Sequence, residues 1–500
     1  MNKENKIILV ILSIILVLII CIVVVINKTS NTTNNTNNST QNANSTVNDD
    51  SKDDNTKTSS DTANNTEKDF SEYPAYKINL SEKSDKVEIV EKGVYTLTGT
   101  LNGYIYVNTE ENVKLILDDA TITNNNGPAI YIMSAKNTYI ELVGTSKLSD
   151  GNTYSEFDEE VNAVIYSKDD LFIMGEGTLN VVANFEDGII SKDDLTIYNG
   201  TINVTSADDA IRGKDSVTIY DGNINVISGG DGIKTTNSED TEKGNIVIEK
   251  GNIKIESSND GIQAENSVTL NGGTYNIVTN GGSKSAMTYS EWNNSSSEDE
   301  ESTKAIKAGV DITINDGEFN FSVTDDGIHS NNNVIINNGN FKITSDDDAI
   351  HADGMAEING GIFSLTAHEG IEATYVKIND GTINIEASDD GINAGQKSTE
   401  YAVLIEINGG DITIKMGSGD TDGIDSNGDL YITGGTINVT GNSAFDYDGQ
   451  VKYTGGKLIV NGKETTTITN QMMGGGMMGN RGNMPYDQMN GEIPQGRMMR

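Results

Sequence analysis

The sequence predicts an all-β chain wound as a parallel β-helix, and three observations lead there. A motif of acid, Gly or Ala, then Ile recurs with a basic spacing of 22 residues. Its anchors are Asp187, Asp209, Asp231, Asp260, Lys304, Asp326, Asp348, Glu369, Asp390 and Asp422. Between anchors, apolar residues alternate with polar ones in three short runs, as at Ile211, then Val217 and Ile219, then Ile224 and Val226. Period-two alternation marks strands with one buried face. A glycine separates the second run from the third in every coil: Gly200, Gly222, Gly251, Gly272, Gly317, Gly339, Gly360, Gly381, Gly409 and Gly434. Glycine allows a sharp bend there, at positive φ if needed. One such unit cannot bury its own apolar row, so successive coils stack at about 4.8 Å. The 44 residues from Asp260 to Lys304 are one coil plus a long insertion. Absence of helical periodicity excludes coiled coils, α-solenoids and globular enzyme folds.

In chain order, residues 1–26 come first as a signal-anchor transmembrane helix. Positions 7–26 are apolar and uncharged behind Lys3 and Lys6, long enough to cross a bilayer with a cytoplasmic N-terminus. Ile19 and Ile20 precede Cys21 where a lipidated Cys needs small residues, so the anchor reads as uncleaved. The bulk of the chain is then extracellular, on a single-pass protein of a Gram-positive bacterium. Residues 27–69 are Asn-, Thr- and Ser-rich, a disordered tether averaging roughly 35 Å end to end. Residues 70–160 show β patterns without the motif and read as an N-terminal cap with irregular first coils, shielding an open sheet edge. The regular helix spans 161–462. Residues 463–500 form a Met- and Gly-rich disordered tail.

The 500 residues include 75 acids against 34 bases, for a net charge of −41. That balance excludes nucleic-acid binding, which needs a basic footprint. A single Cys excludes an intramolecular disulfide and a Cys-built zinc site. Stacking sets the anchor acids in a row, doubled by Asp208, Asp325, Asp347 and Asp389. Adjacent like charges about 4.8 Å apart repel by roughly 3 kcal/mol at an effective dielectric of 20. The carboxylates must splay into water, protonate, or hold a cation. Oxygen ligands at bends suit Ca2+, several ions of it, better than Mg2+, and scattered histidines argue against zinc or copper. The metal candidates are Asp187, Asp208, Asp209, Asp231, Asp260, Asp325, Asp326, Asp347, Asp348, Glu369, Asp389, Asp390 and Asp422. For any single one, the alternative is a local Asp-Gly turn.

Beside the acids runs the residue after each motif Ile: Arg212, Lys234, Gln263, Lys307, His329, His351, Glu372, Asn393 and Asp425. Alternation turns this stripe outward. It is either a solvated face offsetting the acids, or a stripe that joins calcium in receiving sugar carboxylates, with Arg212, Lys234, Lys307, His329 and His351 as contacts. Tyr289 and Trp292, in the insertion, could stack on a sugar ring. A third-strand row including Asn203, Asn225, Asn276 and Asn320 reads as an asparagine ladder.

With these stretches in view (DDAIRGKDSVTIYDGNINV, DDGIHSNNNVIINNGNFKI, DDGINAG, GVYTLTGTLNGYIYV and KLILDDATITNNNGPAIYIMSA), the chain resembles the bacterial carbohydrate-binding family of right-handed parallel β-helix proteins. Those proteins look like polysaccharide lyases in fold and bind cellulose and acidic sugars with bound calcium. The resemblance covers roughly residues 75–460 and implies calcium in the Asp rows. The chain departs at Lys304, where an acid is replaced, and at Glu369, where Asp is. The resemblance implies a calcium-dependent binder of polysaccharide at the cell surface; with no identifiable catalytic set and no local cleft in an even repeat, the chain reads as non-catalytic, and it is expected to be monomeric. Two alternatives stand beside it: a lyase of uronic-acid polymers using Arg212, Lys192, Lys214 or Lys234 as base, and a structural stalk or adhesin.

Overall fold

The computed structural model describes residues 68–284, 301–417 and 421–470. The apolar run 7–26, the tether as far as residue 67, Tyr289, Trp292 and the tail beyond 470 lie outside the described residues. No helix among the described residues is long and apolar enough to cross a membrane.

The described residues between 68 and 470 wind into a parallel β-solenoid of about 17 turns with about 22 residues per turn. One coil shows the construction: Ile211–Gly213, Ser216–Ile219 and Asn223–Ser228 are its three strands, with alternate residues buried. Each strand pairs in parallel with its equivalent one coil on, as Ile211 with Ile233 and Asn225 with Lys254. The motif isoleucines become one internal column through Ile211, Ile233, Ile262, Ile306, Ile328, Ile350, Ile371, Ile392 and Ile424. All are fully buried, each removing apolar surface from water for about 1.5–3 kcal/mol. Pairing of Gln263 with Lys307 shows that the 44-residue gap is one coil carrying an insertion.

Aromatic rungs stack by the same logic. Tyr275, Phe319, Phe341 and Phe363 lie in the core with consecutive centroids 4.5–4.8 Å apart and nearly parallel planes. At the start, the strands Gly93–Asn102 and Asn112–Asn124 run straight through a corner that later coils break. A register shift between Leu97 and Gly99 and a left-handed Asp119 (φ 51°) bend them instead. At the other end Lys463–Thr465 folds back antiparallel on Lys457–Val460.

The bend glycine differs from expectation in four coils. Where two glycines are adjacent, the second holds positive φ: Gly273 (108°), Gly361 (111°), Gly410 (87°) and Gly435 (81°). The reason is register, because this position sits directly over Gly251, Gly317 and their equivalents. A Cβ on Gly273 would lie 2.9 Å from the Gly251 carbonyl oxygen, whereas one on Gly272 meets only the Glu249 carbonyl at 3.4 Å. Gly273→Ala should therefore cost about 1–3 kcal/mol and Gly272→Ala under about 1 kcal/mol, as read by denaturant unfolding. Equal losses at both positions would refute this assignment.

Candidate metal centre and the charged corner

The motif acids line the corner between the third strand of one coil and the first strand of the next. Their stacking is made tolerable by two sets of partners. One carboxylate oxygen accepts the backbone N–H of the next acid along: Asp187 from Asp209 at 3.0 Å, Asp209 from Asp231 at 2.9 Å, Asp231 from Asp260 at 2.8 Å. Asp260 accepts from Lys304 at 2.8 Å, Asp326 from Asp348 at 3.1 Å and Asp390 from Asp422 at 2.9 Å. Such charge-assisted bonds are roughly twice as strong as neutral ones.

The second oxygen faces the outward stripe. Arg212 reaches Asp187 at 2.6 Å and Asp209 at 3.5 Å, and Lys234 reaches Asp231 at 2.6 Å and Asp209 at 3.5 Å. Lys307 lies 3.4 Å from Asp260, His329 2.7 Å from Asp326, and His351 2.7 Å from Asp348. Lys304, standing in the acid column, bridges Asp325 at 2.5 Å and Asp326 at 3.2 Å. Lys234, His329 and His351 reach back to the acid three positions earlier, whereas Arg212 makes its shorter contact, and Lys307 its contact, with the acid one coil below. From Asp187 to Asp348 the chain thus supplies cations of its own, so the stripe does offset the acids, as one of the two sequence readings has it. Yet the stripe is not a solvated face: these five side chains keep only 12–29% of their surface exposed. Asp208 and Asp347 flank the row, Asp347 with its carboxylate grouped with Asp325 and Asp326 within 4.8 Å.

Burial still opposes these charges. It pushes Asp187 up to about 7 and Asp231 up to about 6, against Arg212 and Lys234 respectively. Burial, then the charges of Asp326 and Asp325, push Asp347 to about 7. Burial would raise Asp326 too, but the His329 hydrogen bond and the charges of Lys304 and His351 hold it well below the carboxylate range. Burial works against a charged His351, yet its hydrogen bonds to Asp348, Asp353 and Glu372 hold its pKa far above the usual range.

Beyond His351 the stripe changes sign. Glu372, Asn393, Asp425 and Asp446 follow in register, alongside Glu369, Asp389, Asp390, Asp422 and Ser443 in the acid columns. Four oxygens here are buried without a hydrogen-bond partner: Asn393 Oδ1, Thr421 Oγ1, Ser443 Oγ and Asp446 Oδ1. The carboxylates of Glu369, Asp389 and Asp390 come within 4.8 Å of one another. Burial first, and then the charges of Asp389, Asp425 and Asp422, raise Asp390 to about 8. Burial with Asp422, Asp446 and Asp448 raises Asp425 to about 6, and burial with Glu372 raises Glu369 well above its usual value. Orphaned oxygens among under-neutralised carboxylates fit a hard divalent cation with six to eight oxygen ligands.

Sequence reasoning missed Thr421, Asp425, Ser443 and Asp446 as site residues. The signal was present in the stripe's own last members, where bases give way to Glu372, Asn393 and Asp425. It also missed a second acidic bend, where Asp170, Asp193 and Asp194 group within 4.8 Å, although SKDD repeats at 167–170 and 191–194. The expected asparagine ladder forms only in part, Asn225 to Asn203 at 2.9 Å and Asn320 to Asn276 at 3.3 Å, because lysines interrupt it. A longer one runs through Asn271, Asn315, Asn337, Asn359, Asn379 and Asn408 with links of 2.6–3.1 Å. The recurring Ile-Asn before the bend glycine marked it.

Comparison with known proteins adds the family. The carbohydrate-binding domain-containing protein family matches residues 83–349, 327–371 and 347–474. A carbohydrate-binding domain-containing protein of Acetivibrio thermocellus is 42% identical over 134 residues, which is 25% of this chain and 46% of that relative. The chain thus spans about half the length of the curated relative it matches. A solved structure described as the polysaccharide lyase-like protein from C. thermocellum, gadolinium derivative, is 38% identical, covering 39% of this chain and 83% of that one, with a TM-score of 0.38. With the family matched through most of its solenoid, the chain belongs to the carbohydrate-binding domain family.

Proposed function

We propose that the chain is a non-catalytic, calcium-dependent polysaccharide-binding protein. It is held at the outer face of a cell membrane by residues 1–26, spaced from it by the 27–69 tether, and acts as a monomer with a right-handed solenoid. Family membership supports the carbohydrate. The observation that carries calcium is the oxygen-only end of the corner, with Asn393, Thr421, Ser443 and Asp446 offering orphaned oxygens beside Asp390 and Asp425. An ion there supplies positive charge facing outward, on which a sugar carboxylate or hydroxyl pair can close. Glu369, Asp389 and Asp390, whose carboxylates converge within 4.8 Å, hold it; the orphaned oxygens of Asn393, Thr421, Ser443 and Asp446 lie along the neighbouring rungs and add further oxygen donors. Along Arg212, Lys234, Lys307, His329 and His351 a sugar carboxylate must instead compete with the paired acids. Acidic polymers are therefore read mainly at the C-terminal coils.

A second reading, a uronate lyase, is favoured by Lys192. Its ammonium makes no ion pair among the described residues and lies 5.8 Å from the Tyr166 ring centroid. Burial, then the Arg212 charge, lower its pKa from the ordinary lysine value, as a proton-abstracting base requires.

Three outcomes follow. Retention on polygalacturonate or cellulose should fall at least about tenfold with chelator and return with calcium; retention unaffected by chelator removes calcium from the reading, and none on any polysaccharide favours a stalk. Incubation with polygalacturonate and calcium should give no unsaturated product by ultraviolet absorbance; product that disappears in Lys192→Ala would establish the lyase. The third concerns pH. Asp390 and Asp425 bind protons more tightly folded than unfolded, so their contribution is intact below pH 4 and lost as pH rises through 6 to 8. Without metal, the amides of Asp422–Ser426 and Ser443–Tyr447 should be less protected at pH 8 than at pH 5, protection being taken against the intrinsic exchange rate at each pH. Calcium at one hundred times its Kd should restore about 3 kcal/mol, and Asp425→Asn should blunt both effects.

A further inference from the structure

His329 and His351 occupy neighbouring rungs of the stripe, ring centroids 4.6 Å apart and planes 19° from parallel. Two of the chain's three histidines thus stand together, as their spacing of one coil in the stripe implies. Both Nδ1 atoms face carboxylates. His351 Nδ1 is 2.7 Å from Asp348 Oδ2 and 3.0 Å from Glu372 Oε2. A ring nitrogen carries one proton, so two carboxylates from successive coils converge on a single donor. The other Glu372 oxygen is engaged by Lys397 at 2.9 Å, and His351 Nε2 lies 3.4 Å from Asp353. On the preceding rung His329 Nδ1 is 2.7 Å from Asp326, which Lys304 also approaches at 3.2 Å. Two overlapping sets, Asp348–His351–Glu372 and Asp326–His329–His351, each bring their ligand atoms within 4.8 Å.

We propose that Asp348, His351 and Glu372 form a site for a divalent first-row transition ion such as Zn2+, with His329 and Asp326 beside it as reserve ligands. Tetrahedral ligand atoms about 2.1 Å from zinc are about 3.4 Å apart, so the contacts of 2.7 and 3.0 Å seen here need open by only about half an ångström as the ion replaces the Nδ1 proton. A mixed imidazole and carboxylate set suits a borderline ion, whereas the oxygen-only end suits a hard one. His351 and Glu372 keep 12% and 11% of their side-chain surface exposed, leaving an entry path and room for water on the outer side. The site is independent of the calcium reading: the two ions differ in ligand chemistry and in position along the corner.

The test is a calorimetric titration of the full chain with Zn2+ in saturating calcium, followed by X-ray absorption of the bound zinc. One equivalent should bind, with an imidazole nitrogen at about 2.0 Å in its shell. His351→Gln should weaken binding at least about 100-fold and Glu372→Gln at least about tenfold, with circular dichroism confirming the fold. Should His351→Gln fail to fold, Glu372→Gln alone, with its histidine intact, decides the matter. Absence of zinc uptake overturns the proposal, leaving His351 as a structural imidazolium only. So does uptake unchanged in both variants, or zinc displaced by calcium, which would move the ion to the oxygen-only end.

Discussion

Everything in this solenoid follows from one constraint: each position is repeated against its own equivalent one coil away, about 4.8 Å above and below. A column therefore has to be a residue type that tolerates itself. Isoleucine does, and one column of it runs fully buried from Ile211 to Ile424. Phenylalanine does by offset stacking, and asparagine by passing a hydrogen bond from rung to rung. Glycine does where one backbone crowds the next, as at Gly273 over Gly251. Carboxylate does not, and the corner is where the repeat must be paid for.

The solution is to set a column of opposite sign beside the acids and to turn one oxygen of each onto the next backbone N–H. Neither partner would suffice alone. The N–H bonds fix the rotamer of each acid, and that rotamer aims the second oxygen at Arg212, Lys234, Lys307, His329 or His351. Buried ion pairs of this kind add little net stability over an apolar core. They do fix register, because a slip of one residue would take each acid off both its base and the backbone N–H of the next coil.

Fold and register were legible in the sequence because they depend on spacing, and spacing survives in one dimension. The insertion between Asp260 and Lys304, the inward isoleucines and the outward stripe all came from counting. What was not legible depended on which side-chain oxygen faces what. The sequence shows Asp209 three residues before Arg212, but not that one oxygen of Asp209 is already held by Asp231. Without that, the sequence leaves open whether the stripe offsets the acids or stands free to receive sugar carboxylates. The four bend glycines misplaced by one residue failed for a related reason: in a Gly-Gly pair spacing alone does not say which of the two takes positive φ.

Because each coil touches only its neighbours, chemistry can change along a column without disturbing the fold, and the places where it changes are where function is best sought. The stripe passes from bases, through a histidine pair, to oxygens alone. Under the first stretch the acids have cations of the chain's own. Under the last they do not, and burial raises Asp390 and Asp425 in place of a partner. A protein that needed its acids only for solubility would have no reason to bury them at this corner, and one that needed them only for turns would have no reason to withdraw the bases at one end. The excess of 75 acids over 34 bases is thus unevenly felt: largely answered within the chain along most of the corner, and concentrated as an unmet demand for positive charge over its last coils.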